Sequence, residues 1–153
     1  MMFLYMATFL MAAQASTGQP TPTACAREVN ATQTAYRLSE LPPAIRSDLA
    51  LFFKDAMADS GSVILQTDAP TEADMGLPTV RFLQALFVRH TWYVSFEISM
   101  TRPYTVGYNH VGDGSGEMRL QRDRSISFIG PPCEAIKAGI RDLRTFDPSI
   151  FDN

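Results

Sequence analysis

The chain predicts an α+β domain: an antiparallel β-meander of about four to six strands with two helices packed on one face. Three observations carry this. Residues Thr79 to Ile129 alternate apolar and polar positions over several strand lengths, the period of half-buried strands. Segments on either side repeat apolar residues at helical spacing. Breaks rich in Gly, Pro, Asn and Asp separate these stretches.

Taken in order, Thr32 to Leu38 predicts a short strand, with Thr32, Thr34, Tyr36 and Leu38 on one side. Leu41-Pro42-Pro43 opens a helix, because proline is tolerated in a first turn. Ile45, Leu49, Phe52, Phe53 and Ala56 form its apolar face, and Ser60-Gly61 ends it. Val63-Ile64-Leu65 predicts another short strand, followed by a polar loop from Thr67 to Pro78.

The meander follows from register, since residues two apart share a face. A turn at Arg89-His90-Thr91 sets Val88 opposite Trp92 and Phe82 opposite Ile98. One at Thr101-Arg102-Pro103 sets Phe96 opposite Tyr108 and Val94 opposite His110. A third at Gly112 to Gly116 sets His110 opposite Met118. The apolar residues then share one face, leaving Ser95, Glu97, Ser99, Gly107, Asn109, Arg119 and Gln121 for water. Arg122 and Arg124 would fall on the apolar face, so a further turn is expected at 122–124. A helix over Thr79–Arg89 is the competing assignment, but its apolar residues point all round a helical wheel. Gly130-Pro131-Pro132 opens the last helix, with Ile136, Ile140 and Leu143 as its stripe and Ala135 and Gly139 allowing close approach.

No charge occurs before Arg27, and Met1 to Ala13 is an apolar run ending in Ala13-Gln14-Ala15. That is the form of a secretory signal with a small-x-small cleavage site, although its start lacks Lys and Arg. The run is too short to span a bilayer. A hydrophobic N-terminal helix of a cytosolic protein is the alternative, disfavoured by the Ser/Thr/Pro-rich stretch that follows at once. Cys25 lies too far behind the run to be lipid-modified. The expected organisation is a signal peptide at 1–15, a linker at 16–31, one domain at 32–147 and a loose tail at 148–153. The expected location is therefore outside the cytoplasm, periplasmic or secreted, with no membrane span in the mature chain.

The formal net charge is −3, and eleven Arg against two Lys form no basic cluster. Nucleic acid is therefore excluded as a partner, since it needs a sustained basic face. Cys25 and Cys133 are the only cysteines. In an oxidising compartment an even pair reads as a disulfide, which chain-entropy reasoning values at up to about 4–5 kcal/mol. The competing reading is a reactive Cys133 thiol at a helix start, disfavoured because no CxxC partner accompanies it.

Chemistry-bearing motifs are sparse. His90 reads as an exposed turn histidine with no second ligand at suitable spacing. His110, Asp113 and Glu117 flank one hairpin and are the weak candidates for a catalytic or metal site. The glycines between them read first as turn residues. No serine lies in Gly-x-Ser-x-Gly, and Asn30-Ala31-Thr32 fits a glycosylation sequon. On the outer face, Leu83, Ala85, Phe87 and Tyr93 would form an apolar patch: either packing under another segment or a contact surface for a partner or second copy.

The expected function is a non-enzymatic exported binding or accessory module for an unknown protein or small ligand, with Leu83, Phe87 and Tyr93 as candidate contacts. A homodimer through the outer face is one form this could take. The alternative is a small hydrolase or metal-dependent enzyme centred on His110, Asp113 and Glu117. The motifs imply no cofactor and no dedicated metal site.

Overall fold

The computed structural model describes residues 24–54, 57–67, 69–112 and 114–145, with side chains to residue 140. The expected signal peptide, the first part of the linker, Asp113, Leu143 and the tail lie outside the described residues or side chains. The elements are α1 (Ala24–Glu28), β1 (Gln33–Ala35), α2 (Pro43–Phe53), β2 (Met57–Ala58), β3 (Val80–Val88), β4 (Thr91–Ile98), β5 (Tyr104–Gly112), β6 (Met118–Ile129) and α3 (Pro132–Thr145). Short 3-10 turns occupy Leu38–Glu40 and Glu72–Asp74. The sheet runs β1-β3-β4-β5-β6, with β2 pairing parallel to β3 and every other pair antiparallel.

The α+β class and the sequential meander are as expected, and Thr79–Arg89 contains a strand. α2 starts with Pro43 in its first turn and stops at Lys54, whose left-handed backbone (φ 52°) donates its N–H to Ala50 O. It therefore ends before Ser60-Gly61. Val63-Ile64-Leu65 forms no strand; Leu65 N donates to Pro78 O, and Leu65 O accepts from the Ser99 hydroxyl. The expected linker's last part holds α1, whose Cys25 and Ala26 are buried.

The largest departure is in register. The first hairpin turn has two residues, Arg89-His90, with Arg89 at φ 60°. Val88 consequently faces Thr91, and Phe87 faces Trp92. A change of one residue moves side chains to the other face. A bulge at Leu83 then restores the expected parity, so Phe82 faces Phe96.

β6 brings a second correction. No turn forms at 122–124; the strand continues through Arg122, and its register shifts between the Gly107–Asp123 and Val106–Ser127 pairs. Leu120 packs on one face of the sheet, while Ile126 and Phe128 pack on the other.

Both faces are therefore cores. Ile45 and Leu49 of α2 pack with Phe82, Ala85, Trp92, Val94, Phe96, Val106 and Tyr108. Ile136 and Ile140 of α3 pack with Cys25 and Ala26 of α1 and with Leu86, Val88, Tyr93 and Ile126. The helices are divided between the two faces rather than sharing one. Ser95, expected to face water, is fully buried with Thr105, and their hydroxyls are 2.7 Å apart. Satisfying each other removes most of the cost of burying them.

The α3 face is closely packed. A Cβ on Gly139 would sit 2.8 Å from Phe128 and 2.9 Å from Tyr93; one on Gly107 would sit 2.6 Å from Ile126. The Cys25–Cys133 disulfide joins α1 to α3 with Cα atoms 5.5 Å apart, within ordinary disulfide reach. Lys137 of α3 also pairs with Glu28 of α1. Among the described residues no helix is long and apolar enough to cross a membrane.

Candidate functional site

The most site-like concavity lies on the α2 face, between α2 and β6. It encloses about 590 Å³, is lined by Asp48, Phe52, Tyr108, Leu120 and Arg122, and extends to the β6 bulge at Asp123 to Ser127. Its size falls within the ordinary range for small-ligand sites.

Tyr108 is the centre of it. As an inner-face residue of β5 it is almost fully buried, and a buried phenol needs a hydrogen-bond partner. Asp48 supplies one: Tyr108 Oη donates to Asp48 Oδ2 at 2.7 Å. Burial, followed by that carboxylate, pushes the Tyr108 pKa far above its ordinary value, so the phenol stays protonated.

Arg122 faces Tyr108 across the β5–β6 ladder. Its guanidinium lies 4.6 Å from the centre of the Phe52 ring. That contact explains how an arginine sits on an apolar face without the turn expected at 122–124. The charged head lies at the open cleft while the stem covers the sheet. The cleft thus offers an aromatic wall, a guanidinium and a phenol–carboxylate pair.

The opposite face carries a polar relay across three strands. Thr91 Oγ1 donates to Asn109 Oδ1 at 2.6 Å, and Asn109 Nδ2 donates to Asp123 Oδ2 at 2.9 Å. Ser125 donates to Asp123 Oδ1 through both its N–H and its hydroxyl. These groups satisfy one another and fix the bulged part of β6. A smaller hollow of about 410 Å³ lies between α1, α3 and the end of β3. Two of its charged groups, Glu28 and Lys137, already pair with each other.

The candidates read from sequence are dispersed. His110 is exposed on β5 opposite Leu120. Glu117 lies 3.4 Å from Arg119, both side chains being 68% exposed. Asp113 is outside the described residues. Among the described residues no group of three His, Cys, Asp or Glu is placed to hold a metal ion.

Leu83, Phe87 and Tyr93 do not share an outer face. Leu83 is the bulge residue and is half-buried. Phe87 packs on the α2 face, 5.3 Å from the Trp92 ring. Tyr93 is fully buried on the α3 face. The two-residue turn is the cause, because it inverts Phe87 relative to Tyr93. Sequence reasoning missed Asp48, Tyr108 and Arg122 as a group. Its one available signal was Arg122 itself, a charge on an apolar face.

Comparison of the chain with protein-family models, curated proteins and solved structures gives no match.

Proposed function

We propose that the protein is an exported, non-enzymatic binding module that takes a small molecule carrying an apolar ring and an anionic group in the cleft between α2 and β6. The observation that carries this is Arg122, held over Phe52 at the mouth of a concavity of ligand size. A guanidinium beside an aromatic wall suits an aromatic acid, since it offers planar donors for the acid and a face for the ring. The Tyr108–Asp48 bond holds the floor rigid, and a preformed site lowers the ordering cost of binding. The disulfide supports export, because such bonds persist in oxidising compartments.

Titration with benzoate, followed by backbone amide NMR, tests the site. The expected result is a saturable shift confined to α2, β5 and β6, lost in Arg122→Ala. Shifts spread over other elements, or a response unchanged in Arg122→Ala, would overturn the assignment. Export has a separate test: native protein from the extracytoplasmic fraction should begin at Ser16 by mass spectrometry, and a cytosolic protein beginning at Met1 would sink it.

A further inference from the structure

We infer that one end of the sheet is a copper(I) site formed by His90, His110 and Met118. These include the only two histidines in the chain, separated in sequence but adjacent in the fold. Thr91 on β4 faces Asn109 on β5. One step further along that register brings His90, in the two-residue turn, beside His110 on β5. On the other side of His110 runs β6, with Leu120 opposite it and Met118 opposite Gly112. Residues two apart on a strand share a face, so Met118 is the diagonal neighbour of His110 on that face. His90, His110 and Met118 line one shallow concavity of about 650 Å³ together with Thr91 and Asn109.

The donor set points to the metal. Two imidazoles and a thioether are offered, and among the described residues no carboxylate lines the concavity. Oxygen-seeking cations such as Ca²⁺ and Mg²⁺ prefer carboxylate and carbonyl ligands. Structural zinc sites use four ligands drawn from thiolate, imidazole and carboxylate. A soft thioether beside imidazoles selects copper(I), which is satisfied by two or three ligands. All three side chains are solvent-exposed, Met118 by 60%. Among the described residues neither imidazole is taken up in a hydrogen bond or ion pair. Thr91 and Asn109 are tied together by their side chains, and Asn109 to Asp123. The strands bearing the ligands are thus braced before a metal arrives. An exposed methionine at a hairpin end needs no functional reason of its own; its place in one concavity with both histidines does.

The site shares no lining residue with the α2–β6 cleft, although Leu120, opposite His110, lines that cleft. Its test uses a different ligand and different variants. Purified disulfide-intact protein would be titrated anaerobically with copper(I) against bicinchoninate at pH 7. The proton signals of both imidazoles and the Met118 methyl group would be followed by NMR. The expected result is one copper per chain with all three residues perturbed. His90→Ala and His110→Ala should each weaken copper(I) binding at least 100-fold. Met118→Leu, close in volume, should weaken it about 10-fold, whereas Met100→Leu should leave it unchanged. Zinc should bind at least 100-fold more weakly than copper(I). Failure to compete with the chelator, equal binding by His110→Ala, equal binding by Met118→Leu, or a preference for zinc would each overturn the inference. The substituted side chains are exposed, so a matching thermal melt is expected for every variant and confirms that the comparison is between folded proteins.

Discussion

The α2 face and the α3 face draw on the same central strands but are closed in different ways. On the α3 side a disulfide and the Lys137–Glu28 pair hold the helices together, and Gly139 lets α3 approach Tyr93 and Phe128 directly. On the α2 side, the observed attachments are apolar packing, a hydrogen bond from Tyr108 to Asp48 and the Arg122–Phe52 cation–π contact. There Phe52 remains 61% exposed and a cleft stays open beside β6. Beside the closed face lies the smaller hollow, about 410 Å³ against about 590 Å³ at the α2–β6 cleft, and two of its charged groups, Glu28 and Lys137, already pair with each other. The looser face can keep a concavity without unfolding, because the other face secures the sheet.

Removing the disulfide should break this asymmetry with the largest effect. Cys25→Ala with Cys133→Ala should cost about 2–5 kcal/mol of unfolding free energy in denaturant titrations. Amide exchange should accelerate first in α1 and α3. Faster exchange in α2 at equal or greater magnitude would show that the covalent face is not the securing one.

Next in size is Gly139→Ala, which pushes a methyl group into two aromatic rings. Overpacking of this kind costs about 1–3 kcal/mol, and it should be read as a lower denaturant midpoint at unchanged slope. An unchanged midpoint would mean that α3 can shift outward freely.

The α3 face also carries an alkaline liability. Burial raises the pKa of Tyr93 from 10.0 to about 12. The unfolded chain therefore loses this proton first. The neutral phenol's contribution to stability is fully present below pH 10 and is lost as pH rises through 12. Tyr93→Phe should flatten the alkaline part of a stability-against-pH curve while leaving the curve's shape near pH 7 unchanged. An alkaline limb identical to the parent's would place the titration elsewhere.

The smallest effect is expected at the open cleft. Arg122→Ala removes an exposed cation–π contact worth about 0.5–1 kcal/mol, so the melting temperature should fall only slightly. A larger loss would mean that Arg122 supports the α2 face rather than serving a ligand.

Much of the architecture was legible because periodicity reports which segments are strands and helices. The Thr79–Ile129 block shows this, and an even cysteine count sufficed for the bridge. Face assignment was harder. It turned on Arg89, a residue with no glycine-like signature that nonetheless takes φ 60° and shortens the turn by one residue. Bulges at Leu83 and after Asp123 inverted the faces again, and no local residue announced them. The cleft was less legible still, since Asp48 and Tyr108 stand 60 positions apart. The His90–His110 juxtaposition was hidden by the assumed second hairpin, which set His110 beside Val94; the structure sets Val106 there instead.

The position of the bridge in the chain has a consequence for how the protein is made. Cys25 precedes all six strands of the described residues, and Cys133 follows the last of them. A chain emerging from its N-terminus exposes the first thiol long before the second exists. The bond can close only after every strand of the sheet has been synthesised, so it cannot guide the pairing of strands while the chain is still being made. Until then Cys25 is open to any other oxidant or thiol. Variants that assemble the sheet slowly should therefore accumulate as chains cross-linked through Cys25, a defect of biogenesis that no measurement on the completed protein would detect.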